Sequence, residues 1–208
     1  MYVPEHFSMS EGEMQDVLRG HRVGEFITYS STAGLLATML PFVYRSQPGN
    51  LGALHGHLAR NNEQWKHQPQ DEAMVILRGP DAYVSPGWYE SKQTHGRVVP
   101  TWDYITMHVY GDVIVHDEAD YVRRVVTELT AKHEARQASP WSVNDAPEDF
   151  ITGQLRAIVG IEIQITRIVA KAKASQNRPP ADIAGVVSGL RTSGEHLMAD
   201  EVERRKSR

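Results

Sequence analysis

Six short runs rich in β-branched and aromatic residues fall within the first 117 positions, with turn residues between them. Val23 to Ser31 and Leu35 to Leu40 read as a hairpin about Ala33-Gly34, and Leu51 to His57 as a third strand. Ala73 to Leu77 is expected to turn at Gly79-Pro80 and pair back through Ala82 to Ser85. Val98 to Asp117 is the longest run, with Gly111 read as a bulge or hairpin turn. So many short strands at this spacing predict a closed or half-closed β-barrel.

Helical signals interrupt and then follow the strands. Ser10 with Glu13 has the spacing of a capping box and predicts a helix over 11–19. A second short helix is predicted from Leu58 to Trp65. Beyond Asp117, read as a cap, Val122, Val125, Val126 and Leu129 share one helix face. Pro147 suits a first helical position, and Gly160 to Lys171 alternates as a strand that would complete the barrel. Ile183, Val186, Val187 and Leu190 mark another amphipathic helix, and His196 to Arg205 a last polar one. The expected class is therefore α+β, a β-barrel with added helices. Residues 1–208 are read as one domain with a C-terminal helical extension.

Composition removes several classes of function. The chain has no cysteine, so disulfides, thiolate metal sites and a cysteine nucleophile are out. Its net charge of −4 supplies no general field for nucleic acid, which leaves DNA contact to a local patch or a partner. Arg204, Arg205, Lys206 and Arg208 form the one dense basic cluster, read as a solvated helix end. No apolar run is long enough to span a membrane, and the polar, acidic start does not resemble a signal peptide, so a cytoplasmic protein is expected.

The stretch from Ala82 to Tyr104 gathers Trp88, Trp102, Tyr83, Tyr89 and Tyr104 beside Lys92, His95 and Arg97, with Pro86, Gly87 and Pro100 forcing turns. Flat rings beside cations suit a planar anionic ligand, though barrel strand ends are also often aromatic. Neither G-x-x-x-x-G-K-[ST] nor G-x-G-x-x-G occurs. Gly56 to Asn62 instead reads as a strand-to-helix junction, where free N–H groups and the fork of Arg60 could meet a phosphate; a plain helix start with a solvated arginine is the alternative. His55 and His57 share a strand face, but no third ligand stands at a readable spacing, and hydrogen-bonding roles are preferred. Ser85 lacks a nucleophile elbow. The acidic group Asp145, Glu148 and Asp149 complements a helix start.

Met1-Tyr2-Val3-Pro4 with His6-Phe7, Gly56-His57-Leu58-Ala59-Arg60-Asn61 with Gln64-Trp65, Tyr83-Val84-Ser85-Pro86 with Trp88-Tyr89, Val99-Pro100-Thr101-Trp102, Leu155 to Ile163 and Ser175-Gln176-Asn177-Arg178 together resemble the PaiB family. The resemblance is collinear over nearly the whole chain. It implies an FMN-binding split β-barrel related to pyridoxamine phosphate oxidases, dimeric, with FMN between two subunits and a negative regulatory role in transcription. It further implies that His57, Arg60, Asn61 and Lys92 serve the phosphate and that Thr38, Met39, Leu40 and Pro41 run beside the isoalloxazine. Pro100, Thr101 and Trp102 would close over the ring, and Gln176 and Arg178 reach in from the C-terminal arm. Met39 stands where the family commonly has histidine, and Ala172 where it has tryptophan. A homodimer, FMN and possibly DNA are the implied partners, without a membrane. A flavin-dependent oxidoreductase or haem-handling enzyme of the same fold, and a binding module with a decayed flavin site, are the other readings.

Overall fold

The computed structural model describes residues 1–20, 23–67 and 69–206. In chain order they form α1 (Glu11–Gly20), β1 (Val23–Ser30), β2 (Gly34–Pro41), β3 (Val43–Arg45), β4 (Ala53–Ala59), β5 (Ala73–Val84), α2 (Ser91–His95), β6 (Thr101–His116), α3 (Ala119–Glu134), α4 (Glu148–Leu155), β7 (Ile158–Lys173), α5 (Pro180–Thr192) and α6 (His196–Arg205). The strands make one antiparallel sheet in the order β2-β1-β5-β6-β7-β4-β3. Among the described residues no helix is long and apolar enough to cross a membrane.

The chain resolves into two compact units. One comprises Met1–Met14, Arg78–Met107 and Val169–Arg208; the other Gln15–Leu77 and His108–Ile168. In the first, Ala82, Val84 and Tyr89 share a core with Ile183, Val186 and Leu190 of α5 and with α6. The capping box is present: the Ser10 N–H donates to the Glu13 carboxylate at 2.9 Å, and the Glu13 N–H donates to Ser10 Oγ at 3.4 Å. Glu13 also takes Arg205 at 2.7 Å. Arg205 is buried, so the basic tail is no solvated end at that position; Arg208 lies outside the described residues. In the second unit, α3 packs Val122 against Val143, Ile151 and Leu155 beside α4.

Four expectations need correction here. Leu58 to Trp65 is not a helix. Leu58 is a core residue of β4 registered against Val159 of β7, and only Glu63–Lys66 coils, as a 3-10 turn whose first N–H groups are capped by the Asn62 side chain at 3.0 Å. Backbone registry with β7 outweighed local propensity. Gly79-Pro80 does not reverse the chain, because β5 runs straight through it. The glycine and proline instead shift the alternation: Ala73, Val75 and Leu77 are buried before them, Ala82 and Val84 after. Gly111 lies inside β6 without a turn, and a Cβ there would sit 2.3 Å from the Gln164 carbonyl oxygen, so close approach of β7 demands glycine. Asp117 does not cap α3; Glu118 occupies the N-cap and Asp117 pairs with Arg60. β3 and α2 are too short for periodicity to register and were absent from the sequence reading.

Candidate functional site

β1 and β2 pair along their whole length, from Val23↔Pro41 to Ser30↔Gly34. Strand alternation sends Phe26, Thr28, Ser30 and Leu40 inward and turns Tyr29, Leu35, Ala37 and Met39 outward. Leu35 is 75% exposed and Met39 70%. Among the described residues β2 has a strand partner on one side only, so no β-ladder runs along its other edge, although the Leu36 carbonyl accepts from Gln64 Nε2 at 3.4 Å. The result is an apolar ledge bordered by a strand edge.

The inner side of β2 is pinned to the segment after β4. Thr38 Oγ1 donates to Gln64 Oε1 at 2.7 Å and accepts from Asn62 Nδ2 at 2.9 Å. Gln64, itself buried, donates through Nε2 to Thr28 Oγ1 at 3.1 Å. Thr38 and the turn carrying Arg60 and Asn61 are therefore brought together. Arg60 uses its fork differently from expectation: Nη1 and Nη2 donate to Asp117 at 3.2 and 2.5 Å, Nε to the Arg156 carbonyl at 2.7 Å, and Nη2 again to Ile158 O at 3.1 Å. That pair holds the Asp117 carboxyl below the usual range. The Arg60 N–H donates to Ala157 O, so no open helix start cradles an anion here.

His55 and His57 both belong to β4, facing β7 at Glu162 and Gly160. His55 Nδ1 bonds the Tyr121 hydroxyl at 2.7 Å, and Tyr121 stacks on His116 at 3.6 Å, whose Nε2 meets Glu162 at 2.8 Å. Burial lowers the His55 pKa to about 4, and Arg45 adds to the effect. Burial also lowers that of His57, whose Nδ1 is buried without a hydrogen-bond partner in the protein. No three His, Asp or Glu side chains gather as metal ligands among the described residues.

The other unit carries the remaining candidates. Lys92 lies exposed on α2, which the Asp182 carboxylate anchors by accepting from the Ser91 N–H at 2.8 Å and Oγ–H at 2.7 Å. Pro100 is exposed before β6. Thr101 and Trp102 are bound by a side chain that sequence reasoning missed: Lys173 Nζ donates to Thr101 Oγ1 at 2.6 Å, to Trp102 O at 2.5 Å and to Asp103 at 3.1 Å. Asp103 has no solvent exposure, and its other oxygen accepts from Ser175 Oγ at 2.6 Å. Burial raises the Asp103 pKa, against the pull of Ser175 and Lys173. The signal was legible in principle, because position 103 falls on the inward phase of β6 with Ile105, Met107 and Val109. Gln176 closes the turn locally, accepting from the Ala174 N–H and donating to Ala172 O, while Arg178 lies over the Tyr89 ring at 4.7 Å. Thr101, Trp102 and the 175–178 turn thus meet about one half-buried ion pair, whose carboxylate is fully buried.

Residues 1–167 match the family described as "Putative FMN-binding domain". The chain belongs to this family. Within the FMN-binding family its relatives include the Protease synthase and sporulation protein PAI 2 of Bacillus subtilis, 28% identical over 192 residues, covering 91% of this chain and 89% of that one. An uncharacterized protein of Emericella nidulans is 33% identical over 187 residues, covering 74% of each. Solved structures agree on the fold alone. A conserved hypothetical protein of Mycobacterium tuberculosis superposes with a TM-score of 0.60 at 13% identity, covering 86% of this chain and 94% of that one. The FAD and Heme binding protein of Mycobacterium smegmatis gives 0.58 at 15%, covering 86% and 80%. The PaiB resemblance and the FMN-binding split-barrel class both stand, and FMN is the family's cofactor. The ledge fits that cofactor: a flavin ring is flat and apolar on its faces and carries alternating donors and acceptors along one edge, as the free side of β2 does.

Proposed function

We propose that this protein is a cytoplasmic, homodimeric FMN-binding regulator of the PaiB type, with the flavin laid along Thr38 to Pro41 of β2. The observation that carries the reading is the outward face of the β1–β2 hairpin, where Val23, Tyr29, Leu35 and Met39 stand in solvent beside an unpaired strand edge. Apolar side chains exposed in this density mark a surface meant to be covered, and flavin and a second copy of the chain cover it together. His57 and Asn61 serve the phosphate end. Arg60, already engaged by Asp117 and two carbonyls, holds the turn that presents Asn61.

FMN supplies one- and two-electron redox chemistry when bound, and the chain's part is to bind and orient it. Negative control of transcription is carried over from the PaiB resemblance; the Bacillus relative is itself named for protease synthase and sporulation. DNA contact would fall to a local patch or a partner, since the net charge is −4. A flavin-dependent oxidoreductase of the same fold is the second reading, while Met39, exposed where the family commonly has histidine, favours a binding module with a decayed flavin site. The deciding measurement is an absorption spectrum of freshly purified protein, followed by FMN titration. Flavin bands and saturable uptake are expected, and an unchanged spectrum throughout the titration refutes the reading. Salt-sensitive promoter binding then favours the regulator, and rapid reduction of the flavin by a nicotinamide favours the enzyme.

A further inference from the structure

We propose that Asp81, together with the half-buried Lys173–Asp103 pair, positions Trp102 as a fixed wall against which a planar aromatic ligand stacks. The proposal rests on the reading of the chain as an FMN-binding protein, and FMN is the probe. An indole in solvent ordinarily samples several rotamers, and ordering it costs free energy that stability alone does not repay. Trp102 is 52% exposed, yet three restraints act on it. Its Nε1–H donates to the Asp81 carboxylate at 2.7 Å. The Tyr83 ring meets it edge-on at a centroid distance of 6.2 Å. Its main chain is gripped from β7 by Lys173, whose three ammonium protons go to the consecutive residues Thr101, Trp102 and Asp103.

That grip is costly to build. A buried ion pair loses hydration that an apolar pair of the same size would not. Ser175, which completes the pair by donating to Asp103, is the one non-glycine residue at positive φ among the described residues, at 60°. Strain and desolvation gathered around a ring that remains half in solvent indicate preorganisation, in which the ordering cost is met before the ligand arrives. Rings ordered for packing are covered; this one is ordered and left open.

The test uses full-length protein, with FMN affinity read by flavin fluorescence and folding by the thermal midpoint. Asp81 is exposed, so Asp81→Ala removes the acceptor without disturbing the core. It is expected to raise the FMN Kd about fivefold at an unchanged midpoint, the scale of one lost hydrogen bond. Asp81→Asn keeps an acceptor oxygen and is expected to restore most of the affinity. Trp102→Ala should lose at least as much as Asp81→Ala. If Trp102→Ala weakens FMN and Asp81→Ala does not, positioning by Asp81 is overturned while FMN binding stands. If Trp102→Ala leaves the Kd unchanged, there is no stacking wall. If the parent protein takes up no FMN, the functional reading fails as well, which the parent titration distinguishes.

Discussion

Replacing Gly189 with alanine separates backbone propensity from packing, because the two act in opposite directions. In an exposed helix interior the change should stabilise by about 1 kcal/mol, since glycine is the poorer helix former. In α5, however, the added Cβ would stand 2.2, 2.4 and 2.5 Å from Cδ2, Cε2 and Cγ of Trp88. Carbon atoms in contact prefer about 3.5 Å or more, so either ring or helix must give by over about 1 Å. Neither moves freely. One turn earlier a Cβ on Gly185 would lie 1.9 Å from the Trp88 carbonyl oxygen, so the backbone beneath the ring is held against the same helix. The adjoining face of α5 is committed to a core through Ile183, Val186 and Leu190, against which Trp88 also packs. Overpacking costs about 1 to 3 kcal/mol, and an approach this close to a held ring belongs in the upper part of that range, about 2 to 3 kcal/mol, which leaves a net loss of roughly 1 to 2 kcal/mol after the propensity gain. For a chain of this length that is a drop of roughly 2 to 8 °C in thermal midpoint. Gly153→Ala in α4 is the control: nothing lies within 4 Å of its Cβ, and a gain of about 0.5 to 1 kcal/mol is expected. Urea and thermal unfolding of both variants decide the matter. A Gly189→Ala midpoint at or above the parent's would refute the packing argument.

Three further outcomes follow from the site and its surroundings. Stability should depend on pH through His55, which faces Tyr121, Arg45, Glu128, Glu162 and His116. Its folded pKa of about 4 lies below the ordinary 6.5, so between those values the unfolded chain binds the extra proton. Its contribution is therefore complete above about pH 6.5, falls as pH drops toward 4 and levels off below, a total of roughly 3 kcal/mol that His55→Gln should abolish in denaturant titrations across pH. Arg60→Ala and Asp117→Ala should weaken FMN and riboflavin by the same factor in paired titrations, as expected of a turn-holding pair; a loss confined to FMN would assign Arg60 to the phosphate. Leu35→Glu should convert the proposed homodimer to monomer in light scattering, and an unchanged dimeric mass would move the subunit interface off the β1–β2 face.

The barrel was legible where local and long-range demands coincide. The β1–β2 hairpin, β7 and α3 to within a few residues, and the two C-terminal helices all show a clean hydrophobic period, and their turns carry the residues such turns need. Sequence reading failed where a distant strand decides the outcome. Leu58-Ala59 have helical neighbours but are claimed by registry with β7, and Gly111 looks like a bend when its glycine serves the Gln164 carbonyl. Of the candidate site, the ring-bearing and 60–62 segments could be found from residue types and from resemblance. The hub at Lys173 could not, because its three acceptors lie about 70 positions away and no local pattern marks a lysine that will point inward.

The phase change at Gly79-Pro80 sets a rule for how this strand can vary. Upstream of it odd-numbered residues face a core, and downstream even-numbered ones do. The odd spacing from Leu77 to Ala82 is possible only because the joint offsets the pleat; losing one residue there would remove the offset and give Ala82 and Val84 the same parity as Ala73, Val75 and Leu77. The joint is bound to its residue type as well, since a Cβ on Gly79 would lie 2.8 Å from Ile105 Cβ, and relatives that keep the offset should keep the glycine.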